Sequence, residues 1–166
     1  MADVFISYSE KSAGELASRI ADALENAGIS CWYARRDVPV GSSFVNTIVQ
    51  EIENCKVFLV ILDKQSNSSQ HVANEVAIAF RGYYAHDGIV IIPLRVEECQ
   101  LGNQIGYYLA PFQYFDACPP TEERIQDLTY QIAAILGRER SASSPPPKNA
   151  RAFGVIKGLF NRILNR

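Results

Sequence analysis

The sequence predicts an α/β fold of three layers, a parallel sheet held between two layers of helices. Three observations point there. Short β-prone apolar runs alternate with segments of helical periodicity through the first 137 residues. Two of the runs, Val57-Phe58-Leu59-Val60-Ile61-Leu62 and Ile89-Val90-Ile91-Ile92-Pro93-Leu94, are apolar throughout, as strands covered on both faces are. The chain has 166 residues, 48% hydrophobic and 20% charged, which suits one ordinary domain with a tail and excludes a disordered, collagenous or disulfide-framework chain.

Taken in order, Val4-Phe5-Ile6 is a buried strand ending in Ser7-Tyr8-Ser9. Ser12, with Glu15 at the capping-box spacing, predicts a helix to about residue 27, with Leu16, Ile20, Ala23, Leu24 and Ala27 inward and Gly28 after its end. Residues 29–33 form a second β-prone run. The proline- and glycine-containing segment 34–42 is a loop, and Ser42 or Ser43 opens a helix with Phe44, Ile48 and Ile52 on one stripe. After the strand 57–62, Ser66-Asn67-Ser68-Ser69 is a capping cluster leading to a helix over 72–84. The strand 89–94 is followed by an irregular stretch and an edge strand over 112–115. Thr121 caps a last helix with Ile125, Leu128, Ile132 and Ile135 inward and Gly137 at its end.

Charge divides the chain. Residues 1–137 hold nine Lys and Arg against 17 Asp and Glu, a formal −8, and residues 138–166 hold seven against one, a formal +6. An acidic body argues against nucleic acid as a partner. Ser141-Ala142-Ser143-Ser144-Pro145-Pro146-Pro147 has linker composition, which places a linker over 138–148. Residues 149–166 carry Phe153, Ile156, Leu159, Phe160, Ile163 and Leu164 at helical spacing among basic residues, an amphipathic helix weakened by Gly154 and Gly158. Such a segment suits an anionic membrane, a partner, or the acidic body itself. No apolar run reaches the ~18–20 residues of a membrane span. Met1-Ala2-Asp3 opens no secretory signal, so the expectation is a cytoplasmic chain. The cysteines, Cys31, Cys55, Cys99 and Cys118, show no metal-ligand spacing and are expected to be reduced and mostly buried.

Familiar catalytic signatures are missing: no GxGxxG follows the first strand, and neither GxxxxGK[ST] nor GxSxG occurs. Asp63 stands where a receiver domain keeps its phosphate acceptor, but no acidic pair follows the first strand. In a parallel sheet, ligands gather beyond the carboxyl ends of the strands. There the sequence places Ser7-Tyr8-Ser9, the 34–42 loop and the segment 63–69. Hydroxyls of Ser7, Tyr8 and Ser9 suit ribose or phosphate, or they simply terminate the strand. Arg35 and Arg36, beside Trp32 and Tyr33, suit a dinucleotide, or form a solvated loop tip. Trp32 is a stacking platform or core. Glu75 lies among Val72, Ala73, Val76 and Ala77 with His71 four residues before it; by position alone a helix glutamate is ordinarily solvated.

Together, Asp3-Val4-Phe5-Ile6-Ser7-Tyr8-Ser9, Leu24-Glu25-Asn26-Ala27-Gly28-Ile29-Ser30-Cys31-Trp32 and Ala34-Arg35-Arg36-Asp37-Val38-Pro39-Val40-Gly41-Ser42 resemble a TIR (Toll/interleukin-1 receptor/resistance) domain. Ser66-Asn67-Ser68-Ser69, Asn74-Glu75-Val76, Ile91-Ile92-Pro93-Leu94-Arg95-Val96, Tyr107-Tyr108-Leu109 and Phe115-Asp116-Ala117 are similar to the family's bacterial, NAD-cleaving branch. The resemblance covers residues 3–137. It implies a flavodoxin-like fold with a five-stranded parallel sheet, and self-association through the Ala34 to Ser42 loop. It implies Glu75 as the catalytic carboxylate. It places Ser7, Tyr8, Ser9, Trp32, Arg35, Arg36, Asp37, Ser69 and His71 around a bound NAD⁺, with NAD⁺ as substrate and no cofactor. The implied activity is an NAD⁺ glycohydrolase or cyclase giving ADP-ribose, a cyclic isomer or a conjugate. Its setting would be bacterial anti-phage signalling, with a nucleotide-sensing effector downstream. A non-enzymatic adaptor acting by TIR–TIR association is the alternative. Many NAD-cleaving members carry tryptophan four residues before the glutamate. Here that place is His71, leaving Trp32 or Tyr8 to stack on nicotinamide.

Overall fold

A computed structural model describes residues 1–38, 44–85 and 88–138. The elements are β1 (Val4–Ser7), α1 (Gly14–Asn26), β2 (Cys31–Trp32), α2 (Ala34–Asp37), α3 (Phe44–Asn54) and β3 (Val57–Leu62). After a single 3-10 turn at Ser66–Ser68 come α4 (Gln70–Ala85), β4 (Val90–Arg95), α5 (Asn103–Leu109), β5 (Phe115–Asp116) and α6 (Glu122–Ile135). The five strands form one sheet in the order β2-β1-β3-β4-β5, every pair parallel. This is the flavodoxin-like architecture that the sequence predicts.

The centre of the sheet explains the layers. Every residue of β3 is buried, and successive side chains point to opposite faces. Val57, Leu59 and Ile61 pack with Ile20 and Leu24 of α1 and Ile125, Leu128 and Ile132 of α6. Phe58, Val60 and Leu62 pack with Ile48 and Ile52 of α3, Val72 and Val76 of α4, and Ile105 and Leu109 of α5. A strand without a polar side chain has no face to show to water, so helices cover both sides.

Several local expectations change. Ser12 does not cap α1: the helix begins after Ala13 with no side-chain cap. The Ser9 carbonyl accepts the N–H groups of Ser12 and Ala13 at 3.1 and 2.9 Å, a tight turn that sends the Ser12 hydroxyl to Asp63 Oδ2 at 2.5 Å instead. The start of the 34–42 loop is helical, because Asp37 folds back to accept the Tyr33 N–H at 2.9 Å. The irregular stretch contains α5. Its two buried apolar residues, Ile105 and Leu109, flank Gly106 in a helix of 7 residues, too short to show a period. The Asn67 side chain holds the start of α5 by accepting the Gly102 N–H at 2.8 Å and donating to the Gln100 carbonyl at 2.6 Å. Both outer strands, β2 and β5, have 2 residues, shorter than predicted. Gly28 and Gly137, with φ of +77° and +66°, end α1 and α6 as predicted, and Thr121 caps α6 through the Arg124 N–H at 3.4 Å. Cys31 and Cys55 are buried free thiols, while Cys118 is exposed. The opening of α3 at Ser42 or Ser43, the linker from residue 139 and the basic helix 149–166 lie outside the described residues. No helix among the described residues is long and apolar enough to cross a membrane.

At the amino ends of the strands, Asp3 ties four elements together. Its carboxylate accepts the Ser30 hydroxyl at 2.7 Å, pairs with Lys56 Nζ at 3.0 Å and takes Arg138 Nη2 at 2.6 Å, joining the starts of β1, β2 and β3 to the end of α6. Burial opposes the charge, but these partners win and hold the carboxyl down at about 2. The folded value lies below the unfolded one, so this stabilisation is complete above the ordinary carboxyl range and disappears as pH falls toward 2. Asp3→Asn should therefore cost on the order of 2 kcal/mol at pH 7. Urea unfolding should show the gap between variant and wild type closing as the pH falls from 5 to 2.

Candidate active site

The site lies beyond the carboxyl ends of β1 and β3. Ser7 closes β1, and the chain turns through Tyr8 and Ser9 into α1. The end of β3 is braced by Asp63: Oδ1 accepts the Ser66 N–H at 2.8 Å and the Ser66 hydroxyl at 2.9 Å, while Oδ2 takes Ser12. This carboxylate is therefore engaged in holding the 3-10 turn and the entry to α1. The turn aims Ser69 at the start of α4, whose second turn carries Glu75.

An open cavity of about 420 Å³ occupies this rim, lined by Ile6, Tyr8, Ser9, Glu10, Lys11, Ala34, Arg35, Gln65, Ser68, Ser69, Gln70, His71 and Glu75. Glu75 is 8% exposed, so its carboxylate is no solvated helix-face group. Its Oε2 accepts the hydroxyl of Ser7, itself buried, at 2.6 Å. Burial raises the Glu75 carboxyl to about 7, and the Ser7 hydrogen bond works against that rise. Near neutrality the group exchanges its proton readily. A carboxyl in that state, set in a cleft, can carry charge or a proton for a bound molecule.

The remaining residues divide by position. Tyr8, Ser9, Arg35, Ser69 and His71 line the cavity with Glu75, and Ser7 supports Glu75 from beneath. Tyr8 donates to Glu10 Oε1 at 2.7 Å, which with burial raises its phenol further above the ordinary range. Arg35 is exposed and stands 3.9 Å from Glu10 Oε2. Trp32, Arg36 and Asp37 are not among the residues that line the cavity. Trp32 is buried, stacked on Phe5 with ring centroids 4.9 Å apart, because β2 directs it to the α3–α4 face of the sheet. Arg36 donates to the Cys31 carbonyl at 2.6 Å, pairs with Asp37 and Glu25 at 2.8 Å each, and lies over the Tyr33 ring. Asp37 is spent on Arg36 and the Tyr33 N–H. Of the two aromatics offered by the sequence, Tyr8 is the one at the cavity. Glu10, Lys11, Gln65 and Gln70 are additional lining residues. The same strand-end rule points to Glu10 and Lys11, which directly follow Ser7-Tyr8-Ser9.

A family model for the TIR domain matches residues 4–129. The chain belongs to the TIR domain family. Among solved structures, it is similar to the TIR domain of the Toll-related receptor TRR-2 from Hydra magnipapillata, with 21% identity, a TM-score of 0.64, and coverage of 82% of this chain and 99% of that one. It is similar to the TIR domains of the activated Roq1 resistosome at 16% identity and TM-score 0.56, covering 98% and 99%. It also matches a TIR-STING receptor from C. gigas, 20% identical with TM-score 0.62. There the match covers 99% of this chain and 47% of the receptor, so this TIR chain spans about half that receptor's length. At these identities the likenesses establish the fold. No curated protein sequence matches significantly.

The raised carboxyl of Glu75 has a consequence for the stability of this TIR domain. The folded value exceeds the unfolded one, so the folded state binds this proton more tightly and loses stability as pH rises from about 4.5 through about 7. Glu75→Gln keeps an acceptor for Ser7 and removes the charge. We expect it to be more stable than wild type at pH 8 by on the order of 3 kcal/mol, with the difference gone near pH 4.5. Urea unfolding across that range checks this.

Proposed function

We propose that this TIR domain cleaves the nicotinamide–ribose bond of NAD⁺, with Glu75 as the catalytic carboxylate. One observation carries the reading: a buried carboxylate at the mouth of the sheet, facing a cavity lined by hydroxyls, an aromatic ring and two cations. In this reading Tyr8 and His71 flank the nicotinamide ring, and Ser9 and Ser69 meet ribose or phosphate oxygens. Lys11 and Arg35 face the diphosphate, and Arg35 exchanges its distant Glu10 contact for a phosphate oxygen.

The chemistry follows from charge. The C1′–N bond breaks with its electron pair going to nicotinamide, which leaves neutral. The ribose gains oxocarbenium character, and the Glu75 carboxylate stabilises that charge in a site where water screens it little. Water then bonds to C1′ and gives up a proton, so NAD⁺ and water become ADP-ribose, nicotinamide and H⁺. A hydroxyl or ring nitrogen of the same nucleotide in place of water gives a cyclic isomer, and an outside nucleophile gives a conjugate. The approaching pyridinium ring favours the ionised carboxyl, which burial alone disfavours. The product serves as a nucleotide signal in anti-phage defence, sensed by a separate effector. TIR–TIR association through the 34–42 loop assembles the active form.

Nicotinamide release from NAD⁺, followed over a range of protein concentrations, tests the proposal. Glu75→Ala should lower release by at least about a hundredfold. Equal release by both proteins would remove Glu75 from the reaction. No release from the associated wild type would instead favour an adaptor that works by association alone. Because the carboxylate is the active form, kcat/KM should rise with pH through about 7 and then level off. Ser7→Ala removes the donor that favours the ionised form, so the rising limb should move to higher pH.

A further inference from the structure

The pole of the sheet opposite the cavity, at the amino ends of the strands, and the flank formed by α4 and α5 carry two features that the activity does not use. The first is electrostatic. α1, α3 and α4 each end just before a strand begins, and α6 ends where Arg138 meets Asp3. Their carboxyl ends therefore gather at one pole, where the helix dipoles place partial negative charge even though N–H groups just past α1 and α6 pair with their last carbonyls. None of the four helices has a basic residue in its last turn. Glu51 and Glu53 in the last turn of α3 add negative charge. Lys56 and Arg138 are paired with Asp3, and Arg81 stands one turn before the end of α4. Arg138 also shows how a cation is received here, donating to the carbonyl of Gly28 just past α1.

The second feature is apolar. Phe80, Tyr83, Tyr84, Tyr107, Tyr108 and Phe112 form one aromatic surface across α4 and α5. Ring centroids are 4.9 Å apart for Phe80–Tyr84 and 5.0 Å apart for both Phe80–Tyr108 and Tyr83–Phe112. Tyr84 and Tyr107 are 67% and 73% exposed. Gly82 sets the end of α4 against β4, since a Cβ there would stand 2.7 Å from Ile89 Cδ1. That close approach places Tyr83 and Tyr84 at the same pole. Contiguous exposed aromatics of this kind mark a docking surface.

The chain itself supplies a matching segment, which follows Arg138, a residue at this pole. Beyond Arg138 come 28 residues. Residues 149–166 pair an apolar stripe of Phe153, Ile156, Leu159, Phe160, Ile163 and Leu164 with Arg151, Lys157, Arg162 and Arg166. The ten residues 139–148 reach about 33–36 Å when extended, more than the roughly 20 Å from one helical layer across the sheet to the other. The formal +6 of residues 138–166 faces the −8 of the body. We propose that residues 149–166 dock on their own molecule along the α4–α5 flank and the amino-end pole that the end of α4 reaches. The apolar stripe covers the Tyr84–Tyr107 surface, and the basic side chains lie over the helix carboxyl ends and the tyrosine rings. This proposal does not depend on the role of Glu75.

Hydrogen exchange on the full chain tests it, comparing wild type with a Leu159→Asp/Phe160→Asp variant. Both changes fall outside the described residues. Amides of residues 83–85 and 107–109 should exchange about tenfold more slowly in the wild type, with the rest of the body unchanged. A photo-reactive phenylalanine in place of Tyr107, in a mixture of isotopically light and heavy chains, should crosslink to residues 149–166 of the same chain. Equal exchange in both proteins would overturn the proposal, whether or not the wild type co-sediments with phosphatidylserine vesicles. So would crosslinks that join light to heavy chains, which would assign the surface to a second copy.

Discussion

Burial of β3 on both faces is the constraint from which the rest of this TIR domain follows. Its 6 residues offer no polar side chain, so helices cover each side. Parallel pairing then makes every crossover helix run against the strands. Polarity separates as a result. Strand carboxyl ends and helix amino ends share one pole, and helix carboxyl ends share the other. The first pole holds the cavity and Glu75, and the second gathers negative charge and the exposed Tyr83 and Tyr84 at the end of α4.

The cavity pole shows how the fold spends stability on a site. Glu75 belongs to α4 beside Val72 and Val76, whose burial draws the helix down onto the sheet. The carboxyl is carried into the protein with them, where its charge is disfavoured. Ser7 offsets this in part, because the end of β1 brings its hydroxyl within 2.6 Å. Asp63 gives a useful contrast. It too is buried at the rim, yet Ser12 and the Ser66 hydroxyl and N–H surround it. One carboxyl braces the loops, while the other faces the cavity with the Ser7 hydroxyl as its donor.

The elements with long, regular patterns were legible in the sequence. β3, β4, α1, α4 and α6 follow from apolar runs and helical periods, and Gly28 and Gly137 end helices as glycines at positive φ do. Short elements were less legible: β2 and β5 are expected but hold only 2 residues each, and α5, with 7, is too short to establish a period and falls in a stretch that reads as irregular. At the site, the strand-end rule pointed to Tyr8, Ser9, Arg35 and Ser69, which line the cavity, while Glu75 was singled out by the family resemblance and not by its position. The strand-end rule failed to separate Arg35 from Arg36, since neighbouring residues in a loop carry no signal of which way each turns.

By itself, the sequence determined the layers and the parallel sheet, because alternating apolar runs leave few ways to cover a doubly buried strand, and its motifs carried the resemblance to the family. It also determined that a basic, amphipathic segment follows an acidic body. Tertiary structure decided which polar groups meet. Glu75 lies 68 positions from Ser7 and Ser12 lies 51 from Asp63, and only the packing of α4 and α1 against the sheet brings each pair to hydrogen-bonding distance. The same packing sent Trp32 into the core and left Tyr8 at the cavity, a division set by the direction of each strand end rather than by the residue type.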